Sequence, residues 1–444
     1  MSLYNFVQNL RFNDVPQHTR YLVSTSLLDI IGVLAGAKNN QTTENIRNYA
    51  ADHYAASSMS CRLLFDGREV NPMGAAWAGG FSADSLDAHE GHFTSKGHAG
   101  ATVVPALLAL ADACRDQGRD ISGEEFLSAV TVAYETGLRA GVALMDTAAE
   151  YHASGAFSGL GVVCGGARLL RMNEEQFLHA LGIAEYFGPR CPMMRLVDFP
   201  SMLRDAHGAG AYAGVNALLM AQAGITGAPA ETVAGDNISH CWNDLGSRWE
   251  IDAQYFKPWP VCRWAQPALT AVTAMMAQYP KITAANTEAV KVETFHESMR
   301  LQGHFPANAD EAQYGLAFPL AALISRGQVG PNEVTGEAIQ AEDILQVSRL
   351  IEITEADDLS VRFPQEILSR VTIQLKDGTS LTSPVTQAKG DPETAMTQVE
   401  FRAKFRLLAS VNFSEQRISE IISAVDDLEH ANDCNQLFNQ LMNP

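Results

Sequence analysis

The most constraining feature of this sequence is a helical pattern, rich in glycine and alanine, that runs from about Thr19 to Thr226. Apolar residues recur there at three and four positions, and strand patterns are nearly missing. Small side chains let helix backbones approach closely, so layers of almost entirely apolar helices can pack against one another. The pattern therefore predicts a large all-helical core, including a buried helix within residues 207–227.

The pattern changes after residue 256. Val290 and Val292 alternate with polar residues, residues 371–375 alternate again, and Asp377-Gly378 is a hairpin signal. These segments predict half-buried antiparallel strands, and helical stretches lie between them. We therefore predict a mainly α protein in which a smaller α+β lid domain is inserted into a large helical domain formed by both chain ends. The predicted bounds are 1–255 and 396–444 for the helical domain and 256–395 for the lid.

Charge and cysteine usage limit the partners and the compartment. The 444 residues include 31 Lys plus Arg and 51 Asp plus Glu, for a formal charge of −20. Phosphates would be repelled over most of such a surface, so we expect neither nucleic acid nor a membrane as a partner. Seven scattered cysteines without a CxxC pair argue against a disulfide framework. With no signal-peptide pattern in residues 1–20, we expect a cytoplasmic protein.

The densest group of polar residues lies between residues 85 and 98. It contains Asp87, three histidines (His89, His92 and His98) and Lys96. Pro105 predicts the start of the following helix, whose positive end would suit an anion near His98. The alternative is a capped loop whose histidines are solvated or hydrogen-bonded.

The same segment contains two closely spaced histidines that could bind a metal ion. His89-Glu90-Gly91-His92 superficially resembles a zinc-protease helix, but its histidines are separated by three positions and not by the four that place two ligands on one helix face. We therefore expect no metal and no organic cofactor.

Further polar residues stand at helix starts and at the predicted domain junction. His152 precedes a glycine-rich helix, and Arg204 precedes the next one, where it must reach water or meet an anion. Lys257 and Arg263 flank a proline-stiffened segment at the junction, where clefts tend to form. Tyr314 stands at a helix start in the lid. Each also has a purely structural interpretation, such as a buried tyrosine with one hydroxyl partner.

Taken in order, these motifs resemble the MmgE/PrpD family, which includes 2-methylcitrate dehydratase, cis-aconitate decarboxylase and iminodisuccinate epimerase. The resemblance covers essentially the whole chain and implies a helical domain, an α+β lid, a cleft between them and a homodimer. The residues that carry it are Leu28-Asp29, Ser85-Leu-Asp87, Gly97-His98, Pro105, His152-x-Ser-Gly155, Met202-Leu-Arg204, Lys257-Pro, Cys262-Arg263, Glu311-Ala-Gln-Tyr314, Lys389-Gly-Asp-Pro392 and Lys404-Phe405.

The resemblance also implies site residues. The catalytic candidates are Asp87, His98, His152, Lys257 and Tyr314. A small anionic carboxylate substrate would be bound by Arg204, which replaces the lysine usual in the family, together with Arg263, Lys96 and His92. We expect the catalytic candidates and Arg204 to converge on one cleft.

The first motif departs from the dehydratase and decarboxylase pattern. Those members usually read Asp-Phe-Asp-Asp-Thr or Asp-Phe-Asn-Asp-Thr, where this chain has Asp87-Ala-His-Glu-Gly91, and Gln266 stands where a histidine is common. Epimerisation needs no acid for a leaving group, so the first expectation is an epimerase or isomerase of an iminodisuccinate-like dicarboxylate. The alternatives are a hydro-lyase, a decarboxylase, a metal-dependent hydrolase at residues 89–98, and a catalytically inactive helical binding protein.

Overall fold

The computed structural model describes residues 2–444. Helices hold 57% of the chain and the sheets are small, which confirms the predicted mainly α fold with a smaller α+β part. The helices of the first half are α1 (Leu3–Asn9), α2 (Gln17–Ala37), α3 (Gln41–His53), α4 (Pro72–Asp84), α5 (Gly100–Asp116), α6 (Gly123–Thr147), α7 (Gly155–Leu169), α8 (Glu174–Phe187), α9 (Met194–Asp198), α10 (His207–Gln222) and α11 (Glu231–Ala234).

Four short strands interrupt these helices. They form two antiparallel pairs, and the pair β3–β4 aligns Gly91 with Tyr255. That pairing joins the polar segment after α4 to the segment before Lys257, so it positions the candidate site. The strands are β1 (Cys61–Arg62), β2 (Glu69–Val70), β3 (Gly91–His92) and β4 (Gln254–Tyr255).

The core of the helical domain depends on glycines where backbones touch. Helix α7 is buried on every side between α6 and α10. Gly161 in α7 faces Gly137 in α6 so closely that a Cβ on Gly161 would collide with the Ala133 carbonyl oxygen. A Cβ on Gly137 would instead lie 3.5 Å from the nearest atom, an ordinary contact. The glycine-rich sequence therefore reflects helix packing.

This asymmetry gives a stability prediction. We expect Gly161→Ala to lower the free energy of unfolding by about 1–3 kcal/mol, because the added methyl group forces two packed helices apart. Gly137→Ala is the matched control and should be neutral or stabilising by up to about 1 kcal/mol, since alanine favours the helix and meets no close atom. Urea denaturation of both variants tests this. Equal destabilisation by both substitutions would contradict it.

The lid region contains helices and one mixed sheet. Its helices are α12 (Gln266–Gln278), α13 (His296–Met299), α14 (Ala309–Gln313), α15 (Ala317–Arg326), α16 (Pro331–Val334), α17 (Glu342–Ser348) and α18 (Asp357–Ser360). Its strands are β5 (Thr287–Thr294), β6 (Ile351–Glu355), β7 (Leu368–Leu375), β8 (Ser380–Thr382) and β9 (Thr386–Gln387).

The order in this sheet is β6-β5-β7-β8, with β9 also paired to β7. Strands β5 and β7 pair antiparallel as predicted, and β5 also pairs parallel with β6, a strand that the sequence patterns did not predict. The helical residues between β5 and β6 form the crossover that a parallel pair requires.

The remaining helices, α19 (Gln398–Ala409), α20 (Glu415–Asp426) and α21 (Asn435–Leu441), return to the helical domain. Phe405, Ile418 and Leu441 share one apolar core with Phe6 and residues of α2, α5, α6 and α7. A second core lies between Val261 and Leu375 and also takes in Leu196 of α9. The two cores support the predicted insertion, although α9 packs on the lid and was assigned by sequence to the helical domain.

One sequence expectation, the helix start at Pro105, needs correction. Helix α5 begins at Gly100, and Pro105 lies inside it with its ring against Gly79 of α4, so His98 stands directly before the helix. Residues 207–222 form the expected buried helix.

The helix that is long and apolar enough to cross a membrane is α2. Most of its apolar window, 78%, is buried inside the protein, as in a core helix.

Candidate active site

A buried ion pair between Asp87 and Lys257 is the centre of the candidate site. Lys257 Nζ donates to Asp87 Oδ1 at 2.6 Å, and both side chains are buried. Asp87 follows α4 and Lys257 follows β4, and the β3–β4 pairing holds their segments together. Burial alone would raise the pKa of Asp87, but the charge of Lys257, with smaller contributions from His89 and His98, lowers it.

Three histidine rings pack edge to face beside this pair. The ring centroid of His89 lies 4.4 Å from that of His98 and 5.1 Å from that of His207. Burial lowers the pKa of His89 and of His207 to about 3, and it lowers that of His98 as well. All three imidazoles are therefore neutral near pH 7.

Hydrogen bonds assign a tautomer to His98. Its Nδ1 lies 2.5 Å from the Glu90 carbonyl oxygen, which can only accept, so the proton sits on Nδ1. The Nε2 atom keeps its lone pair, and the closest carboxylate oxygen, Asp205 Oδ2, is 3.9 Å away. His98 is thereby prepared to accept a proton at Nε2.

Two further buried carboxyl groups adjoin the histidines. Asp205 accepts hydrogen bonds from the backbone N–H and the hydroxyl of Ser154, and its own backbone N–H donates to Asp84 Oδ2 at 3.1 Å. Burial, assisted by the charge of Asp84, raises the pKa of Asp205 to about 8. Asp205 is therefore mainly protonated at neutral pH, which limits the negative charge in the cluster.

Arg263 offers free donors to a ligand. Its Nη2 binds Asp391, and its guanidinium lies 4.2 Å above the ring of Tyr255. Its Nε and Nη1 atoms are buried without a hydrogen-bond partner. A planar guanidinium with two free N–H donors suits a carboxylate.

Arg204 has its donors occupied by the protein. It binds Asp310 through Nε at 2.8 Å and Nη2 at 2.7 Å, and Nη1 donates to the Asp84 carbonyl oxygen and to Gln313 Oε1. The anion it was expected to meet is thus Asp310. Its guanidinium lies 5.8 Å from the ring of Tyr314, which is also buried near the cluster. Arg204 therefore joins the two domains in this structure, and its role in substrate binding stays a prediction.

Three other candidates lie outside the cluster. His92 is buried, but its Nε2 faces Glu250 Oε2 at 3.3 Å and its Nδ1 accepts from the Ser95 N–H. Lys96 is exposed in a turn with positive φ. Within residues 2–444, no hydrogen bond or ion pair joins His152 to the cluster, although the neighbouring Tyr151 is buried close to Asp205. The structure therefore brings Asp87, His98, Lys257, Arg204 and Tyr314 together, and the part of these residues and of His152 in a catalytic site stays a prediction.

A second ion pair fixes the segment that carries Asp87. Lys404 Nζ, from α19, donates to Asp29 Oδ1 of α2 at 2.5 Å and to the Ala88 carbonyl oxygen at 2.6 Å. Both residues belong to the motifs quoted above, so the two chain ends meet directly behind the candidate site. The Glu90 side chain is also held by the protein, since its Oε1 accepts from the Gly100 N–H at 2.8 Å.

Sequence reasoning did not select Asp84, His89, Asp205, Tyr255 or Gln313 as site residues. All five lie within a few positions of residues that it did select. Adjacency to a motif was the available signal, but adjacency alone does not tell which neighbour faces the site.

Comparison with known proteins agrees with the fold. Residues 1–238 match the model of the MmgE/PrpD N-terminal domain, and residues 259–429 match that of the MmgE/PrpD C-terminal domain. Similar proteins include cis-aconitate decarboxylase from Aspergillus terreus, 21% identical over 89% of this chain and 87% of that protein. Cis-aconitate decarboxylase from Mus musculus is 22% identical over 100% of this chain and 93% of its own length. Because the family models together match most of the chain, this protein belongs to the MmgE/PrpD family of enzymes.

Proposed function

We propose that the buried cluster catalyses proton transfer at a carbon next to a carboxylate of a small di- or tricarboxylate, and that the net reaction is an epimerisation or isomerisation. The observation that carries this proposal is at Gly91, where dehydratase and decarboxylase members have threonine. A Cβ on Gly91 would collide with the ring and hydroxyl of Tyr255 and would lie 2.7 Å from His98 Nδ1. Tyr255 fills the space that a threonine side chain would need.

The substrate is held by positive charge. Arg263 presents its two free N–H donors, and Lys257 adds a cation beside Asp87. When a proton leaves the neighbouring carbon, the negative charge spreads onto the bound carboxylate, so these same cations stabilise the carbanion. A local positive pocket is needed because the whole chain carries a formal charge of −20.

His98 is the proposed base, because its Nε2 lone pair is free while Nδ1 is held by the Glu90 carbonyl. Epimerisation also requires a proton donor on the opposite face of the planar intermediate. Lys257, Tyr255 and Tyr314 are the candidates, since all three are buried around Asp87. General acid–base catalysis of this kind contributes roughly 100- to 10,000-fold.

Loss of water fits this site less well than proton exchange does. Glu90 is the acidic residue that could replace the missing leaving-group acid. Its carboxyl group instead accepts from the Gly100 N–H and lies near Tyr134. Burial and the charge of Asp29 raise the pKa of Glu90 to about 7, as expected for a carboxyl group buried beside another one.

Decarboxylation is the second candidate, and the names of the similar proteins favour it. Loss of carbon dioxide from a carboxylate substrate leaves a carbanion of the same kind, which the same acid–base groups would protonate. A catalytically inactive binding protein is disfavoured by the free donors of Arg263 and the free lone pair of His98.

We also propose that the protein works in the cytoplasm as a homodimer. Exposed aromatic residues at the end of α8 and directly after α9 support a subunit contact, since Tyr186 is 82% and Phe199 is 77% exposed. Large apolar side chains are seldom left so open outside an interface.

Incubation of the purified protein in deuterium oxide with citrate-like, aconitate-like and aspartate-derived carboxylates tests the proposal. We expect deuterium at the α-carbon of one substrate with an unchanged carbon skeleton and oxygen count. His98→Asn should lower this exchange by at least 100-fold, whereas His92→Asn, a matched buried histidine outside the cluster, should not. Release of carbon dioxide would select decarboxylation, and formation of an unsaturated acid would select a hydro-lyase. No exchange or turnover with any substrate would overturn the enzyme proposal.

A further inference from the structure

Three buried polar atoms beside the candidate active site converge and have no hydrogen-bond partner among residues 2–444. They are Asp84 Oδ1, His89 Nε2 and His207 Nε2. Each of the three residues brings one possible ligand atom within 4.8 Å of the others, and Asp84 Oδ1 is 3.6 Å from His89 Nε2. At that separation they do not hydrogen-bond to each other. Leaving buried polar atoms unsatisfied costs free energy, so such a group needs an explanation.

All three atoms are acceptors when each histidine carries its proton on Nδ1. His207 Nδ1 lies 2.7 Å from the Thr102 hydroxyl and His89 Nδ1 lies 3.4 Å from the Glu90 carbonyl oxygen. With a proton on each Nδ1, both Nε2 atoms carry lone pairs, as does the carboxylate oxygen. A water molecule in the middle has only two protons and would leave one acceptor unsatisfied. A cation satisfies all three at once.

The geometry fits a transition-metal ion. Two imidazole nitrogens and one carboxylate oxygen are a common ligand set for Zn²⁺, with metal–ligand bonds of about 2.0–2.2 Å and a fourth position left open. Such bonds place tetrahedral ligands roughly 3.3 Å apart, so only small side-chain movements are required. Outer contacts orient the ligands, because Asp84 Oδ2 is held by the Asp205 N–H while Thr102 faces His207.

Oxygen atoms of two further carboxyl groups lie close to the imidazole nitrogens. Asp87 Oδ1 lies 3.7 Å from His89 Nε2, and Asp205 Oδ2 lies 3.6 Å from His207 Nε2. The adjacent cation Lys257 is already neutralised by Asp87. The ligands come from the end of α4, the loop that follows it and the start of α10, so the packed helices hold the three positions.

We propose that Asp84, His89 and His207 bind one divalent transition-metal ion, for which Zn²⁺ is the probe, with an open position for water or a carboxylate oxygen. This revises the expectation from sequence, which considered only the spacing of His89 and His92. The proposal stands on these three side chains and does not depend on the reaction assigned above.

The chain offers a comparison group on its surface. Asp146, His240 and Cys241 also place three ligand atoms close together, but His240 and Asp146 are exposed and already pair with each other at 2.9 Å. Exposed groups of this kind bind metal weakly, so His240→Ala is introduced throughout to remove that competitor.

The test is Zn²⁺ binding by the full-length protein after removal of metal with a chelator. Calorimetric titration should give about one ion per chain, and Co²⁺ should give the visible absorption bands of a tetrahedral site. His89→Asn should weaken binding on the order of 100-fold, and it introduces a residue that the family pattern accepts at that position. His152→Asn, a histidine next to the cluster but outside the three ligands, is the matched control and should bind as tightly as the parent.

Circular dichroism and thermal unfolding establish that each variant is folded, and Zn²⁺ should raise Tm in the parent and in His152→Asn only. Less than a tenth of an ion per chain in the folded parent would overturn the proposal. So would binding that His89→Asn leaves unchanged. These measurements need no substrate, so their outcome is separate from that of the deuterium experiment.

Discussion

Replacing Lys257 with methionine is expected to lower kcat/KM by about 100- to 10,000-fold, the largest effect of any substitution proposed for this protein. The ammonium group is both a cation for the developing negative charge and a candidate proton donor. Methionine keeps the length and apolar stem of the side chain but removes the charge. Steady-state kinetics with the substrate found in the deuterium experiment measures the loss.

The same substitution also affects stability, because Asp87 would be left buried without its partner at 2.6 Å. Breaking a buried ion pair costs about 3–5 kcal/mol, so activity must be expressed per folded molecule. Arg139→Met is the matched control. Arg139 is likewise fully buried and paired with Glu135 at 2.7 Å, but it lies outside the candidate site. Comparable loss of unfolding free energy is expected with kcat/KM within about threefold of the wild type. A Lys257→Met protein that is folded and retains more than a tenth of the wild-type kcat/KM would refute the assigned role.

The architecture was largely predictable because its determinants are local or periodic. Glycine and alanine at helical spacing gave the helical core, and strand alternation near Val290 and residues 371–375 gave the central pair of the sheet. The parallel partner, Ile351–Glu355, is short and pairs with a strand separated from it by several helices. Such a pairing has no local signal, so sequence patterns alone do not reveal it.

The site was predictable where a motif residue also makes the long-range contact. Asp87, His98 and Lys257 meet because β3 and β4 pair at Gly91 and Tyr255. In the same segment, His92 and Lys96 point elsewhere, since His92 faces Glu250 and Lys96 is exposed in the turn. Spacing along the chain does not distinguish these directions in an irregular loop.

Groups formed across distant segments were the hardest to foresee. Asp84 is the last residue of one apolar helix, and His207 is the first residue of another. Only the packing of α4 against α10 brings their side chains to His89. The expectation of no metal was therefore based on one local spacing and did not consider this combination.

A smaller but more selective loss is expected from Arg263→Lys, which keeps the charge and changes the donor geometry. The free Nε and Nη1 atoms of Arg263 lie on different edges of the planar guanidinium, so each can donate to a separate carboxylate oxygen, whereas lysine supplies a single point of contact. Losing one hydrogen bond to a charged group costs about 1.5–3 kcal/mol. We therefore expect kcat/KM to fall about 10- to 100-fold, mainly through KM.

Arg204→Lys is the control that separates substrate binding from structure, and it restores the residue usual in the family. The donors of Arg204 are occupied by Asp310, Gln313 and the Asp84 carbonyl, so the substitution removes protein contacts and no free donor. It should lower the free energy of unfolding by about 1–3 kcal/mol while KM changes by less than about threefold. If KM rises equally in both lysine variants, Arg263 has no special part in binding the carboxylate. A KM increase confined to Arg204→Lys would assign carboxylate binding to Arg204. It would also mean that the pairing of Arg204 with Asp310 opens when substrate binds.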